Sequence, residues 1–312
     1  MYRDAYFWPM DSFAIIGCGV AAAHHAREIT SKGGLLRAVC DTDHQKAGSF
    51  AALYNARAYS SLEELLSAEK EVTIVCICTP NGAHAEHAIK SLQAGKHVLC
   101  ESPLCLTGAA AWQLVETEKF SRRRLAVVDP LAGSTALADL KGRIEAGAAT
   151  GGSFELSVST SMPVGSWKQT VFPGGGLLYA SFPGAMAALV FLFGPLASVE
   201  GELDQPNDTM AENAGIATLS FQGGMRGTIR WTLSDTNSAS LNVKTAAGII
   251  ERCDLLADDG DSVESRYEAV FANLSTTIAQ GMKKQSDAFS GLRVVEAIET
   301  IYKALRPSPT EA

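Results

Sequence analysis

Histidine is missing from the last two thirds of this 312-residue chain, since its six histidines all lie between His24 and His97. This absence excludes an imidazole acid or base after position 97, where other side chains would have to move protons. Long apolar runs are missing as well. No stretch of about 18 apolar residues exists, so we expect no membrane-spanning helix.

The seven cysteines contain no Cys-x-x-Cys pair, so neither a zinc motif nor a dithiol motif is indicated. We expect buried free thiols that act as small apolar side chains, and no bound metal. Lysine and arginine form no stripe and the formal charge is −8, so we expect no nucleic-acid partner. The first twelve residues contain acidic side chains and no continuous apolar segment, so we expect a cytoplasmic protein.

A glycine loop follows the first apolar run of the chain, Phe13 to Ile16, and leads into a helical stretch. Gly17 allows a tight turn, and Gly19 lets the backbone approach a pyrophosphate. The start of the helix offers N–H groups and a favourable dipole to an anion. This GxGxxA spacing between a strand and a helix predicts a dinucleotide site. Its members are Gly17, Cys18, Gly19, Val20 and Ala21.

Asp41 follows the second predicted strand, Leu35 to Cys40. At this distance from the glycine loop, a carboxylate accepts hydrogen bonds from the ribose of adenosine. The charge would repel a 2′-phosphate, so the sequence favours NAD over NADP. Arg37 lies too far upstream in its strand to bind that phosphate. NADP remains possible if a basic residue comes from elsewhere.

The segment Thr79 to Pro103 predicts a second edge of the same site. The β-branched run Val72 to Cys78 is typical of a strand buried on both faces, and Thr79-Pro80-Asn81-Gly82 cannot continue it. A helix is predicted from Ala83 to Ala94, with Gly95 at positive φ, and a strand from His97 to Cys100. Ligands of such sheets bind at the carboxyl ends of the strands.

Five segments together resemble the Gfo/Idh/MocA family of dinucleotide-dependent oxidoreductases. They are GCGVAAAHHA, CTPNGAHAEHA, AGKHVLCESP, WKQTVFPGGGLL and SGLRVVEAIETIYKAL, in this order along nearly the whole chain. The resemblance implies a cofactor NAD or NADP and a small sugar-like or polyol substrate. It also implies cofactor contacts from Thr79, Pro80, Asn81, His84 and Glu101.

The same resemblance implies an α/β protein of two domains. We expect a doubly wound parallel Rossmann sheet in residues 1–128, and an α+β domain with a large, mostly antiparallel sheet in residues 129–312. The exposed face of the second sheet implies a homodimer or homotetramer. Strands of that sheet are predicted at Gly152 to Met162, Ala197 to Leu203, Ile216 to Phe221, Arg226 to Leu233 and Leu241 to Thr245.

The catalytic set that the family implies is altered here. The lysine of a Glu-Lys-Pro motif is replaced by Ser102. Alignment on Gly174-Gly175-Gly176 puts Ala180 in the position of an aspartate and Gly184 in that of a histidine. All three proton-handling groups are missing, although losing one general base alone typically costs about 10²- to 10⁴-fold in rate.

Two hypotheses follow. The first is an oxidoreductase with rearranged proton chemistry, in which Ser102, Lys168 or Tyr179 acts as a substitute acid or base. The second is a catalytically degenerate relative that binds NAD(P) as a sensor, scaffold or regulatory subunit. A family glycosidase that uses NAD transiently is a third idea, but it also needs acid and base groups. Asp129, at the end of the last predicted Rossmann strand, is a further candidate.

Overall fold

The computed structural model describes residues 11–128, 134–146, 152–245, 248, 250–255, 263–280 and 287–306. Asp129 lies outside these ranges. No helix in the described part of the chain is long and apolar enough to cross a membrane. Contacts divide the chain into two compact units. The first contains Met1–Cys105, Ala109–Ala132 and Asp261–Leu292, and the second contains Leu106–Gly108, Gly133–Gly260 and Arg293–Ala312.

The N-terminal elements alternate between strands and helices. In chain order they are β1 (Ser12–Ile16), α1 (Val20–Ser31), β2 (Leu35–Cys40), α2 (His44–Tyr54), β3 (Arg57–Tyr59), α3 (Leu62–Ala68), β4 (Ile74–Ile77), α4 (His84–Gln93), β5 (His97–Cys100), α5 (Gly108–Ser121) and β6 (Leu125–Val127).

The first sheet is wholly parallel, with strand order β3-β2-β1-β4-β5-β6. Every residue of β1 and β4 is buried, as expected for strands covered by helices on both faces. The predicted doubly wound Rossmann sheet is therefore confirmed. Gly95 ends the helix before β5 with φ +75°, the conformation that its position predicted.

The C-terminal elements follow in chain order. They are α6 (Thr135–Ala146), β7 (Gly152–Thr160), α7 (Leu177–Ala180), α8 (Pro183–Phe193), β8 (Leu196–Asp204), β9 (Ala214–Phe221), β10 (Met225–Leu233), β11 (Ser238–Thr245), β12 (Ile250–Asp254), α9 (Val263–Gln280) and α10 (Asp287–Leu305).

The helix α9 belongs to the first unit although it lies late in the sequence. Its residues Val270, Phe271 and Leu274 join the buried cluster that contains Phe13 and Ile29. The chain therefore returns to its N-terminal sheet after forming the second one. The domain boundary at residue 128 stays a prediction.

The second sheet has strand order β12-β11-β7-β10-β9-β8 and is antiparallel except between β7 and β10. In β7 the side chains Phe154, Leu156 and Val158 are buried, whereas Ser153, Glu155 and Ser157 are exposed. This period of two confirms the prediction of a large, mostly antiparallel sheet with one buried face.

A buried carboxylate holds together the core of the second unit. Oε1 of Glu212 accepts hydrogen bonds from the Leu177 amide at 3.0 Å, from Trp231 Nε1 at 2.9 Å and from the Tyr302 hydroxyl. Arg306 lies 3.8 Å from Oε2. Burial and the charge of Glu212 raise the pKa of Tyr302 well above its ordinary value, so this tyrosine acts as a neutral donor.

We expect Glu212→Ala to destabilise the protein by about 3 kcal/mol or more, because removing one partner of a buried charged network leaves the others unsatisfied. Glu200→Ala is the matched control, since Glu200 is exposed on the same sheet and its loss should cost less than about 0.5 kcal/mol. Urea unfolding measures both values. Equal stabilities of the two variants would contradict the assigned role of Glu212.

Candidate active site and cofactor loop

The glycine loop is pressed against the ends of two neighbouring strands. Gly17 has φ +90°, and its N–H donates to the Cys40 carbonyl at 2.7 Å. A Cβ at Gly17 would lie 2.7 Å from both the carbonyl carbon and the oxygen of Cys78. Only glycine fits this turn, because both the backbone conformation and the packing exclude a side chain.

The space around Gly19 is open, in contrast to the crowded space around Gly17. Among the described residues other than its chain neighbours, no heavy atom lies within 4 Å of the place where its Cβ would be, and its φ of −89° is open to any residue. Gly19 is the N-cap of α1, where Val20 is 84% exposed and the first turn contains no acidic side chain. The structure thus leaves an open helix N-terminus, and its free N–H groups suit a pyrophosphate.

Asp41 ties this loop to the end of β2. Its Oδ2 accepts from the Cys18 N–H at 2.8 Å, and its Oδ1 accepts from the Asp43 N–H at 2.9 Å. A carboxylate has about four lone-pair sites, so two remain for the hydroxyls of a ribose. Burial, followed by the charge of Asp41, raises the pKa of Cys18 to about 12. Cys18 therefore remains a neutral thiol within the loop.

The segment after β4 forms a 3-10 turn, Asn81–Ala83, before α4 begins. Asn81 is buried, whereas Thr79 and Pro80 are half-buried. The His84 ring is buried, and its two nitrogens contact the carbonyls of Thr79 and Pro103, each at 2.7 Å. His84 acts on the loops through these contacts. Its direct contact with a cofactor stays a prediction, as do those of Thr79, Pro80 and Asn81.

Glu101 lies at the centre of a hydrogen-bonded group at the end of β5. Its Oε1 accepts from His25 Nε2 at 2.7 Å and from the Tyr267 hydroxyl at 2.9 Å. Burial alone would raise the pKa of Glu101, but the hydrogen bond and charge of His25 and the hydrogen bond from Tyr267 bring it below its ordinary value. Glu101 is therefore ionised at neutral pH.

Metal binding is the other chemistry that this group could offer. The ligand atoms of His25, Cys78 and Glu101 lie within 4.8 Å of one another. Burial raises the pKa of Cys78 well above its ordinary value, whereas a metal needs the thiolate. His25 Nε2 and Glu101 Oε1 already contact each other at 2.7 Å, whereas the buried Nδ1 of His25 has no hydrogen-bond partner among the described residues. The geometry is that of a hydrogen-bonded cluster. The absence of a metal stays a prediction.

Ser102 follows this carboxylate and is half-buried. Within the described part of the chain, its side chain has no hydrogen-bond partner. The structure therefore places a short hydroxyl directly after the Glu101 carboxylate.

The two other catalytic candidates lie in the second unit. Lys168 is half-buried in a 3-10 turn, with Nζ 5.8 Å from the centre of the Trp167 ring. Tyr179 is only 3% exposed, and its hydroxyl donates to the Val295 carbonyl at 3.3 Å. Because its hydroxyl is buried and donates to a backbone carbonyl, Tyr179 is disfavoured as a catalytic acid. The catalytic roles of Ser102, Lys168 and Tyr179 all stay predictions.

Residues 12–128 match the model of the family GFO_IDH_MocA, described as an oxidoreductase family with an NAD-binding Rossmann fold. Over this stretch the chain is similar to the Gfo/Idh/MocA family. The open start of α1 and the carboxylate of Asp41 agree with the cofactor named in that description.

A curated Gfo/Idh/MocA-like relative is inositol 2-dehydrogenase 2 of Saccharopolyspora erythraea. It is 36% identical over 120 residues, which make up 38% of this chain and 35% of that protein. The match thus spans about a third of the relative's length.

Two solved structures share the fold of this chain over nearly its full length. GenD2 from gentamicin A biosynthesis, in complex with NAD, has a TM-score of 0.82 at 19% identity and covers 97% of this chain and 96% of its own. The WlbA dehydrogenase of Bordetella pertussis, in complex with NADH and UDP-GlcNAcA, has a TM-score of 0.79 at 24% identity, covering 94% and 95%.

Tyr267 is the residue of this group that the sequence did not reveal. Nothing in the spacing of its segment indicates that it packs on α1. The stacking of the Tyr267 ring on His24, with centroids 5.1 Å apart, depends on a contact between residues far apart in sequence.

We expect Gly17→Ala and Gly19→Ala to separate folding from cofactor binding. Gly17→Ala should destabilise the protein by about 2 kcal/mol or more, because the substitution strains the backbone and clashes with Cys78. Gly19→Ala should leave the melting temperature unchanged and weaken NADH binding by about tenfold, through loss of close approach to the pyrophosphate. Calorimetry and NADH fluorescence measure the two effects. Normal NADH affinity in Gly19→Ala would rule out the assigned loop.

We expect Asp41→Asn to weaken NADH binding by about tenfold, because it removes a charged hydrogen-bond acceptor for the ribose. The same change should strengthen NADPH binding, since the negative charge no longer repels a 2′-phosphate. Asparagine keeps an oxygen for the Cys18 N–H but loses the acceptor for the Asp43 N–H, so circular dichroism and the melting temperature must first show that the variant is folded. Asp43→Asn carries the same charge change two residues away as the control. An unchanged ratio of NADH to NADPH affinity in Asp41→Asn would contradict the assignment.

Proposed function

We propose that this protein is an NAD-dependent oxidoreductase that acts on a small sugar-like or polyol substrate. The observation that carries the proposal is the open helix start at Gly19 beside the carboxylate of Asp41. The family match of residues 12–128 supports the cofactor. The relative from Saccharopolyspora, an inositol 2-dehydrogenase, supports the substrate class.

When bound, the nicotinamide ring supplies hydride chemistry, and the chain supplies binding and orientation. The N–H groups at the start of α1 would hold the pyrophosphate, and Asp41 would accept the hydroxyls of the adenosine ribose. The same carboxylate makes NAD the proposed cofactor rather than NADP. Gly17 supports both roles because it lets β1 end directly against β4.

Proton transfer is the step for which the usual groups are missing. Oxidation of an alcohol releases a hydroxyl proton, which a side chain or water must accept. Glu101 is ionised, but its Oε1 is already occupied by His25 and Tyr267. Ser102, Lys168 and Tyr179 remain the proposed substitutes. Of these, Ser102 is the one without a side-chain hydrogen bond in the described structure.

We also propose a cytoplasmic homodimer or homotetramer formed through the outer face of the second sheet. This face contains a depression of about 660 Å³ whose lining includes Ser157, Glu202 and Arg230. In the strand register, Arg230 pairs with Ser157 on one side and Ile216 on the other, and Ile216 pairs with Glu202. A mainly apolar lining that also carries charges of both signs suits a self-complementary contact.

The proposed activity is tested by screening inositols, sugars and sugar nucleotides for reduction of NAD at 340 nm. We expect the wild-type protein to turn over at least one of them slowly. Ser102→Lys should raise kcat about tenfold or more, because a positioned general base contributes about 10²- to 10⁴-fold.

Ser102→Met is the matched control, since it has similar length and no amine. An equal kcat in the lysine and methionine variants would mean that position 102 does not face the reacting hydroxyl. If NADH binds but neither wild type nor any variant turns over a substrate, the oxidoreductase proposal fails. A non-catalytic sensor or scaffold would then account for the retained site, although the comparisons give that alternative no support.

A further inference from the structure

The side chain of His84 makes two contacts that one neutral imidazole cannot make as hydrogen bonds. Nδ1 lies 2.7 Å from the Pro103 carbonyl oxygen, and Nε2 lies 2.7 Å from the Thr79 carbonyl oxygen. Carbonyl oxygens only accept, so each contact requires an N–H on the ring. A neutral imidazole carries one N–H, and the imidazolium carries two. Both bonds therefore exist together only in the charged ring.

The two carbonyls belong to the two loops on which the cofactor site depends. Thr79 begins the loop after β4, and Pro103 closes the Glu101-Ser102-Pro103 turn after β5. His84 is only 1% exposed, so water cannot replace either carbonyl as its partner without movement of the chain. The ring thus fixes the spacing between the two loops from inside the first unit.

We propose that His84 is a positioning residue whose protonation clamps these two loops together, so that the cofactor site of this chain tightens as the pH falls. Above the transition, one ring nitrogen presents a lone pair to a carbonyl oxygen, and that contact opens. Below it, both nitrogens donate and the loops are held at the spacing seen in the structure. The proposal uses the proposed NAD site only for its binding readout.

Several groups set where this transition occurs. Burial lowers the pKa of His84 below its ordinary value, although the two carbonyl contacts and the charge of Glu101 oppose that effect. Among the described residues, the other titratable neighbour is His87 on the same helix, whose pKa is also lowered by burial. The second hydrogen bond should therefore form only as the pH falls below about 6.5, the ordinary value for histidine.

Protonation of His84 is expected to lower the stability of the fold, although it holds the two loops together. Because the folded-state pKa of His84 lies below the unfolded value, the unfolded chain binds the proton more readily. This residue's contribution to stability is present above about pH 6.5 and is lost as the pH falls through the folded pKa. Protonation thus tightens the loops while it weakens the fold, and binding must be measured where circular dichroism shows a folded protein.

The first test is ¹⁵N NMR of the His84 ring in the full-length protein, assigned with His84→Gln, between about pH 5 and pH 8. We expect one protonated nitrogen at pH 8 and two at the acid end, with a midpoint below about 6.5. A single neutral tautomer over the whole range would overturn the proposal. This experiment needs no cofactor, so it stands apart from the proposed function.

The second test is the pH dependence of the Kd for NADH. We expect wild-type affinity to rise about fivefold from pH 7.5 to pH 5.5, the equivalent of one net hydrogen bond. His84→Gln should bind with no such dependence. His87→Gln should retain it, because the His87 ring contacts the Thr79 hydroxyl and neither of the two carbonyls that His84 joins. If His84→Gln showed the wild-type pH dependence of the Kd for NADH, the clamp proposal would be overturned. Failure of NADH to bind at any pH would instead sink the proposed function and leave the NMR result to decide the clamp.

Discussion

The candidate site depends on the contact between the glycine loop and the end of β4. The N–H of Cys78 donates to the Ile16 carbonyl at 2.7 Å, and the Gly17 N–H donates to the Cys40 carbonyl at the same distance. These bonds join the carboxyl ends of β1, β2 and β4 with no side chain between them. The open start of α1, the Asp41 carboxylate and the turn at Thr79 lie close together for this reason.

Two ionisable carboxylates extend this arrangement in different ways. Asp41 is held by backbone N–H groups, which fix it beside the glycine loop and leave lone pairs free. Glu101 is held by the side chains of His25 and Tyr267, so its charge is compensated inside the domain. One carboxylate is thus prepared for a ligand, while the other stabilises the turn that carries Ser102.

Local sequence patterns predicted the first unit well because its candidate site residues lie at the carboxyl ends of strands that the sequence marks clearly. The strands Leu35–Cys40 and His97–Cys100 were predicted with their observed bounds, since buried parallel strands are short apolar runs between breakers. The glycine loop and Asp41 lie where the spacing placed them. Strand β3, by contrast, has three residues with no buried face to mark it, and it was not predicted.

The remaining features depend on contacts between residues far apart in sequence. Tyr267 reaches Glu101 across 166 residues, and Glu212 meets Tyr302 across 90. The hydrophobic periodicity of the sequence does not predict such pairs, because each partner resembles an ordinary helix or strand residue in its own segment. The two contacts of His84 could not be predicted from the sequence either, because the acceptors are backbone carbonyl groups, which every residue type has.

The central claim is that the first unit contains a working NAD site. Isothermal titration calorimetry of the wild-type protein with NADH tests this claim most directly. The account predicts saturable binding of one NADH per chain, with a Kd between about 1 μM and 1 mM, the usual range for enzyme ligands. A folded protein that shows no saturable heat of binding up to several millimolar NADH would contradict it.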